Sequence, residues 1–277
     1  MVNMNRLSTA DRVRVVAALV EGNSIRATVR MTGVAKNTIA KLLAELGRAC
    51  ADYHEQHVRN VKAARIQCDE IWSFVGMKDK NVPQSRKGEA GVGSVWTWTA
   101  LDADSKLIVS YLLGDRDVGT ATDFMNDVAG RLANRVQLTT DGHRSYLDAV
   151  DAAFVGDVDY AQLVKIYGAE RPGEARYSPA VCTGAKPTPI IGQPEKKHIS
   201  TSYVERQNLT MRMGMRRFTR LTNAFSKKIE NHFYAVALHF MYYNFCRIHQ
   251  TLRVTPAMQA GLSDHVWEIE ELIALVG

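Results

Sequence analysis

The chain has 277 residues, 46% of them hydrophobic and 23% charged, with 35 Lys and Arg against 29 Asp and Glu, a net charge of +6. That much apolar material builds one large domain or two modest ones and excludes a wholly disordered chain, while the basic balance favours a polyanionic partner. Four cysteines, Cys50, Cys68, Cys182 and Cys246, include no C-x-x-C pair, which excludes a zinc ribbon and a thioredoxin-like motif and suits reduced thiols in the cytoplasm. The N-terminus lacks the apolar core of a signal peptide, and no apolar run is long enough to span a bilayer, so no membrane partner is expected.

Residues 8 to 50 read as a small all-α unit. Ser8 is placed to cap a helix through DRVRVVAALVEG, and Ser24 a second, IRATVRMTG, ended by Gly33. A third follows in AKNTIAKLLAELGRA, with Ile39, Leu42, Leu43 and Leu46 on one face. Short helices joined by a Gly-containing turn suggest helix-turn-helix. The third would then enter the major groove and present Lys36, Asn37, Thr38 and Lys41. A three-helix bundle that only binds a partner is the plainer alternative. Residues 51 to 64 read as a helical linker.

From residue 65 the pattern changes. RIQCDEIWSFVG is strand-like, MKDKNVPQSRKGEAGVG a polar loop, and SVWTWTALDAD and KLIVSYLLGD are strands joined by a turn at residues 102 to 105. GTATDFMNDVAGRLAN reads as a helix with Thr120 as a cap, RVQLTTDG as a strand, SYLDAVDAAFV as a helix and YAQLVKIYG as a last strand. This order predicts an α/β fold, a mixed sheet flanked by helices, and it is the order of the ribonuclease-H-like fold. Residues 169 to 200 read as a long loop. The chain then turns helical, with a strongly apolar helix from residue 226 to about 248. The division expected is 1–50 helix-turn-helix, 51–64 linker, 65–262 catalytic domain and 263–277 a C-terminal helical tail.

Three carboxylates stand out by context. Asp69 interrupts an apolar strand, where an unpaired carboxylate costs several kcal/mol unless a cation or strong donors meet it. Asp141 ends the strand QLTT, and Glu205 lies near the start of the helix TSYVERQNLTMR. In a ribonuclease-H-like sheet the first and fourth strands are parallel neighbours, so Asp69 and Asp141 would lie side by side and Glu205 would approach from a helix packed across them. Such a set suits two magnesium ions, which prefer hard oxygen ligands. Each acid also has a plainer role: Asp69 could pair with a buried Arg, Asp141 could form a turn before Gly142, and Glu205 could close an S-x-x-E capping box with Ser202. Glu70 rivals Asp69, but strand alternation points it to the opposite sheet face. Glu170, Glu174 and Glu195 rival Glu205.

Taken together, DEIWSFVG, TTDGHRSY, SYVERQNLTMRMGMRRFTRLTNAFSK and YNFCRIHQTLRVTPAMQAG resemble the DDE transposases of bacterial insertion sequences, nearest to those of insertion sequence one and its relatives, over residues 65 to 262. The resemblance implies a ribonuclease-H-like fold and Asp69, Asp141 and Glu205 as ligands to magnesium or manganese. It also implies a homo-oligomer assembled on transposon ends and target DNA, and a basic residue seven positions after the Glu, here Arg212. Asn208 shares that helix face with Glu205. The chain lacks the cysteine zinc motif that some relatives carry near the N-terminus.

Between residues 201 and 253 nine basic residues stand against two acidic ones. Arg212, Arg216, Arg217 and Arg220 in that stretch are expected to meet DNA phosphates. Met211, Met213 and Met215 mark a packed face, and Tyr242, Tyr243, Phe245, Trp96 and Trp98 read as core. The function expected is metal-dependent cleavage and transfer of DNA strands. The alternatives are a nuclease that does not join ends, and a DNA-binding regulator without catalysis.

Overall fold

The computed structural model describes residues 7–89, 91–168, 182–219 and 223–277. Three helices lead the chain: α1 (Thr9–Val20), α2 (Ile25–Thr32) and α3 (Lys36–His57). Ser8 and Ser24 accept from Asp11 N and Ala27 N and so cap α1 and α2, and Gly33 ends α2 in the left-handed region. α3 runs for 22 residues without interruption, through position 50 and into the stretch expected to be a linker. It lies on α7 (Ile229–Met241), and a Cβ at Gly47 would come within 2.4 Å of Tyr234 Cβ, so only glycine allows this approach. The face of α3 toward the core carries Ile39, Leu42, Leu43, Leu46 and Cys50, all buried.

Among the described residues six strands follow: β1 (Arg65–Val75), β2 (Gly93–Asp102), β3 (Ile108–Gly114), β4 (Gln137–Asp141), β5 (Asp159–Tyr167) and β6 (Cys182–Ile191). They form one mixed sheet in the order β3-β2-β1-β4-β5-β6. The β1–β2, β2–β3 and β5–β6 pairs are antiparallel, and β1–β4 and β4–β5 are parallel. Parallel neighbours need crossovers, which α4 (Val118–Arg131) and α5 (Ser145–Phe154) supply. This is the ribonuclease-H-like arrangement read from the sequence, with β6 added at one edge. Buried Trp98, Phe124, Tyr146 and Tyr160 fill the layer under α4 and α5. Among the described residues no helix is long and apolar enough to cross a membrane.

Four elements differ from the sequence expectation. The stretch 182–191, expected within a loop, is the edge strand β6, and its nearly continuous exposure explains why no alternation marked it. The α4 cap is Asp117, which accepts from Thr120 N, rather than Thr120 itself. The apolar helix ends at Met241 and continues as a π-helical turn over Tyr242–Cys246. That turn aims the Asn244 side chain inward, where it accepts from Ile108 N (2.9 Å) and donates to Ile108 O (3.0 Å), satisfying backbone groups at the start of β3. Finally, Trp98 is fully buried as expected, but Trp96 is only half-buried. The chain ends in α8 (Pro256–Gln259) and α9 (Ile269–Ala274), and α9 packs on α1 and α3.

Candidate active site

β1 pairs with β4 in parallel, with Cys68 opposite Thr140, so Asp69 and Asp141 occupy the next step of the register. α6 (Ser202–Gly214) crosses β1 and is tied to it twice. Gln67 Oε1 accepts from Tyr203 N (2.9 Å) and Val204 N (3.2 Å), taking up two of the amides that a helix start leaves free. Two residues along the same strand face, Asp69 Oδ2 accepts from Asn208 Nδ2 (2.8 Å), one helical turn further along α6. The period of two on the strand and of about four on the helix match across this contact. It brings Glu205 over the sheet beside Asp69.

Carboxylate oxygens of Asp69, Glu70 and Asp141 lie within 4.8 Å of one another. Glu70 does sit on the opposite sheet face, where Tyr146 Oη donates to it at 3.0 Å. β4 ends at Asp141, however, so beyond that residue no strand separates the two faces, and the longer Glu70 side chain reaches the same space. The expectation that alternation removes Glu70 is therefore corrected: it holds for the Cα–Cβ direction and fails for the carboxylate. Burial first, then the charges of Glu70, Asp141 and Glu205, raise the Asp69 carboxyl to about 7. Glu70 is also raised, by burial and then by Asp141, against the pull of Arg116.

Two cations enter this acid group. Arg116, in the loop between β3 and α4, places Nε 2.6 Å from Glu70 Oε1 and Nη2 3.6 Å from Asp141 Oδ2. Its guanidinium lies 4.9 Å from the centre of the Trp96 ring. Lys165 of β5 places Nζ 2.7 Å from Glu205 Oε1. Burial pulls the Lys165 ammonium down, but the bond to Glu205 together with the charges of Glu205, Tyr167 and Asp69 leaves it raised. Glu205 also accepts from Thr201 Oγ1. The side chains of Asp141 and Glu205 are 28% and 36% exposed, open to a bulky substrate.

The plainer roles are partly realised. Asp141 Oδ1 accepts from His143 N (2.9 Å), a turn contact, which leaves Oδ2 facing Arg116. Asp69 meets an amide and, among the described residues, no arginine. Thr201 precedes α6 with no side-chain cap bond, so Glu205 is not a capping-box residue. Glu195 pairs with Lys197 and lies beside Gln137, at the opposite end of β4 from Asp141. Glu170, Glu174 and Arg220 lie outside the described residues.

Among the expected DNA contacts, Lys36, Asn37 and Lys41 are exposed and Thr38 half-buried at the start of α3. Asn208 is buried against Asp69, and Arg212 is exposed further along α6. Arg216 and Arg217 follow the helix in a short 3-10 turn. Met211 and Met215 are buried as expected, whereas Met213 is 72% exposed. Sequence reasoning missed Arg116, Lys165 and Gln67. Lys165 did leave a signal, a lysine inside the apolar strand YAQLVKIY.

No protein-family model matches the chain, and no curated protein matches it. Among solved structures it is similar to a piggyBac transposase synaptic complex with hairpin DNA, at TM-score 0.41 and 11% identity over 100% of this chain and 73% of that one. It is also similar to a Mos1 transposase paired-end complex with left transposon end, at TM-score 0.25 and 10% identity over 56% of this chain and 59% of that one. A Mos1 strand transfer complex gives TM-score 0.24 and 12% identity over 86% and 76%. Scores this low leave the functional reading to rest on the site itself.

Proposed function

We propose that the chain is a DDE transposase of the insertion-sequence type, cleaving DNA strands and joining the freed ends to target DNA. The observation that carries this reading is the meeting of Asp69, Glu70 and Asp141 oxygens within 4.8 Å, with the charge of Glu205 near enough to act on Asp69. Acids this crowded repel one another, and a cation relieves them. The donor set is all hard oxygen, and Asn208 Oδ1, beside Asp69, is buried without a partner among the described residues. Both features fit magnesium or manganese. Asp69, Asp141 and Glu205 would hold two such ions, which when bound activate the attacking hydroxyl and stabilise the leaving oxygen of a phosphodiester.

The chain's own residues do the positioning. Gln67 and Asn208 fix α6 over β1, so that Glu205 and Asp69 keep their relation while DNA enters. Arg116 compensates Glu70 and keeps it as a buried anion beside Asp141, and Lys165 holds Glu205 toward β5. Exposed Lys36, Asn37 and Lys41 and half-buried Thr38 on the helix-turn-helix unit, residues 1 to 50, read duplex DNA. Arg212, Arg216 and Arg217 grip phosphates beside the catalytic domain, residues 65 to 262, and copies of the chain assemble on paired DNA ends.

The test is a strand-transfer assay with labelled duplex ends and a target plasmid, with and without Mg2+ or Mn2+. Metal-dependent nicking and joined product are expected, and Asp69→Asn, Asp141→Asn and Glu205→Gln each lower both about a thousandfold, equivalent to about 4 kcal/mol of transition-state stabilisation. Full activity in any of these variants removes that residue from the site. Hydrolysis without joining would make the chain a nuclease instead.

A further inference from the structure

Away from the acids, a cleft of about 930 Å³ opens between the N-terminal helices and the segment that follows α6. One wall is Asn23, Ser24, Arg26 and Lys36, and the other is Arg216, Arg217, Asn223 and Lys227. Among the described residues no Asp or Glu lines it, although five basic side chains do. Sequence reading had placed Lys36 and Arg217 in separate DNA contacts, and the fold sets them in one cavity.

Arg217 is the clearest sign of what the cavity takes. Its Nε donates to Ser226 Oγ (2.7 Å), and no carboxylate among the described residues meets it. A guanidinium offers five N–H donors, and the side chain lines the cavity. Burial alone pulls Arg217 down to about 10, as for a partly desolvated cation that no carboxylate meets among the described residues. Leu43, Ala40 and Ala235 supply apolar lining, and Phe225 an aromatic ring seated on Phe74. One end is closed where the turn at Gly22 touches Gly214: a Cβ there would come within 2.8 Å of Gly214 O.

We propose that this cleft is a binding site for a single DNA strand, its phosphates held by Arg26, Lys36, Arg217 and Lys227 and its bases against the apolar lining. The inference rests on the reading that the chain acts on DNA. A basic groove with an aromatic and apolar lining is how a single strand is held without regard to sequence. The volume lies near the top of the range for small-ligand sites, about 300–1,000 Å³, which admits a short strand. α6 carries Glu205 in its first turns and ends at Gly214, which lines the cleft, so one helix joins the acids to the cleft.

The experiment compares binding of the full chain to a labelled blunt duplex and to the same duplex bearing a short unpaired thymidine tail, by fluorescence anisotropy across a salt series. The tail is expected to tighten binding about tenfold. Arg26 and Lys227 are exposed, one on each wall, so Arg26→Ser with Lys227→Ser leaves the fold intact. That double variant should abolish the gain from the tail, lower the salt slope for the tailed duplex by about 1.4 (about 0.7 per lost phosphate contact), and leave blunt-duplex affinity within about twofold. Arg217→Met should also reduce the gain from the tail. If the tail adds nothing, or the double variant weakens both DNAs equally, the cleft is not a strand site and the proposed function stands. If the wild-type chain binds neither DNA, the proposed function falls and takes this inference with it.

Discussion

Around Asp69, Asp141 and Glu205 two cations of the described residues enter, each fixed by a carboxylate, Arg116 by Glu70 and Lys165 by Glu205. In the cleft between the N-terminal helices and the segment after α6, Arg26, Lys36, Arg217 and Lys227 line a cavity that no described acid lines. Both regions are built from the same side chains, yet the first is compensated from within and the second is left for an outside anion. Compensation inside the acid site restrains the carboxylates while still leaving a surplus of negative charge, the condition for holding a metal ion. The lack of it in the cleft leaves a surplus of positive charge, the condition for holding phosphate. Arginine to methionine substitutions, one in each region, should therefore have unlike consequences.

The largest effect is expected at Arg116. Its partner Glu70 has a side chain only 1% exposed, so Arg116→Met strands a buried anion. Breaking a buried pair from one side costs about 3–5 kcal/mol, and because the Arg116 side chain is 37% exposed the loss here should be nearer about 2–3 kcal/mol. Urea unfolding measures it. The double variant Glu70→Gln with Arg116→Met should recover most of the loss, and equal instability in the single and double variants would show that Glu70 is not what Arg116 compensates.

Asp69→Asn sharpens the comparison from the other side, since it relieves surplus negative charge. The folded Asp69 carboxyl stands near 7, well above its value in an unfolded chain. Between those two values the folded state holds the proton more tightly, so metal-free stability rises as pH falls from about 7 toward 4, and is lowest above 7, where Asp69 must ionise in place. Asn cannot ionise and still accepts from Asn208. At pH 8 the substitution should stabilise the metal-free protein by about 1 kcal/mol, or about 2–4 °C in Tm by calorimetry, while abolishing cleavage. A lower Tm would mean that Asp69 contributes to the fold as an anion.

How much of this was legible in the sequence follows from what each signal depends on. Asp69 was visible because an acid inside IQCDEIWSFV is anomalous for a strand, and the parallel register with β4 followed from the order of elements. Glu70 was misjudged because alternation fixes where a Cβ points, whereas the meeting of carboxylates depends on where β4 stops. Arg116 left no trace, since one arginine in a loop reads like any surface arginine. β6 was hidden because Gly184, Pro187 and Pro189 argue against a strand in general, though an edge strand tolerates them. The cleft was hidden for a different reason: its two walls are about 180 residues apart in the chain, and only the packing of α3 on α7 brings them together.

A smaller effect is expected at Lys165. Its ammonium occupies the space beside Glu205 and Asp69 that a divalent ion would also need, so the two compete for the same oxygens. Lys165→Met removes the competitor without touching a carboxylate. Titration with Mn2+ in the absence of DNA should show binding tightened about threefold to tenfold, within the range of about 1 kcal/mol expected for a partly exposed ion pair. Weaker binding would mean that Lys165 is needed to hold Glu205 in its working position.

The smallest change in stability is expected at Arg217→Met, and it separates the two regions most directly. At Arg116 methionine leaves an anion stranded, whereas at Arg217 it leaves only the Ser226 hydroxyl, which His232 Nδ1 also approaches at 3.4 Å. One neutral hydrogen bond lost is worth about 1 kcal/mol, and removing a half-buried cation that no carboxylate meets among the described residues returns a similar amount. The net change in unfolding free energy should fall within about 0.5 kcal/mol of zero, although the charge removed is the same as at Arg116. A loss of about 2 kcal/mol or more at Arg217 would show that the cation is compensated inside the fold after all. The contrast between the compensated acid site and the uncompensated cleft would then fail.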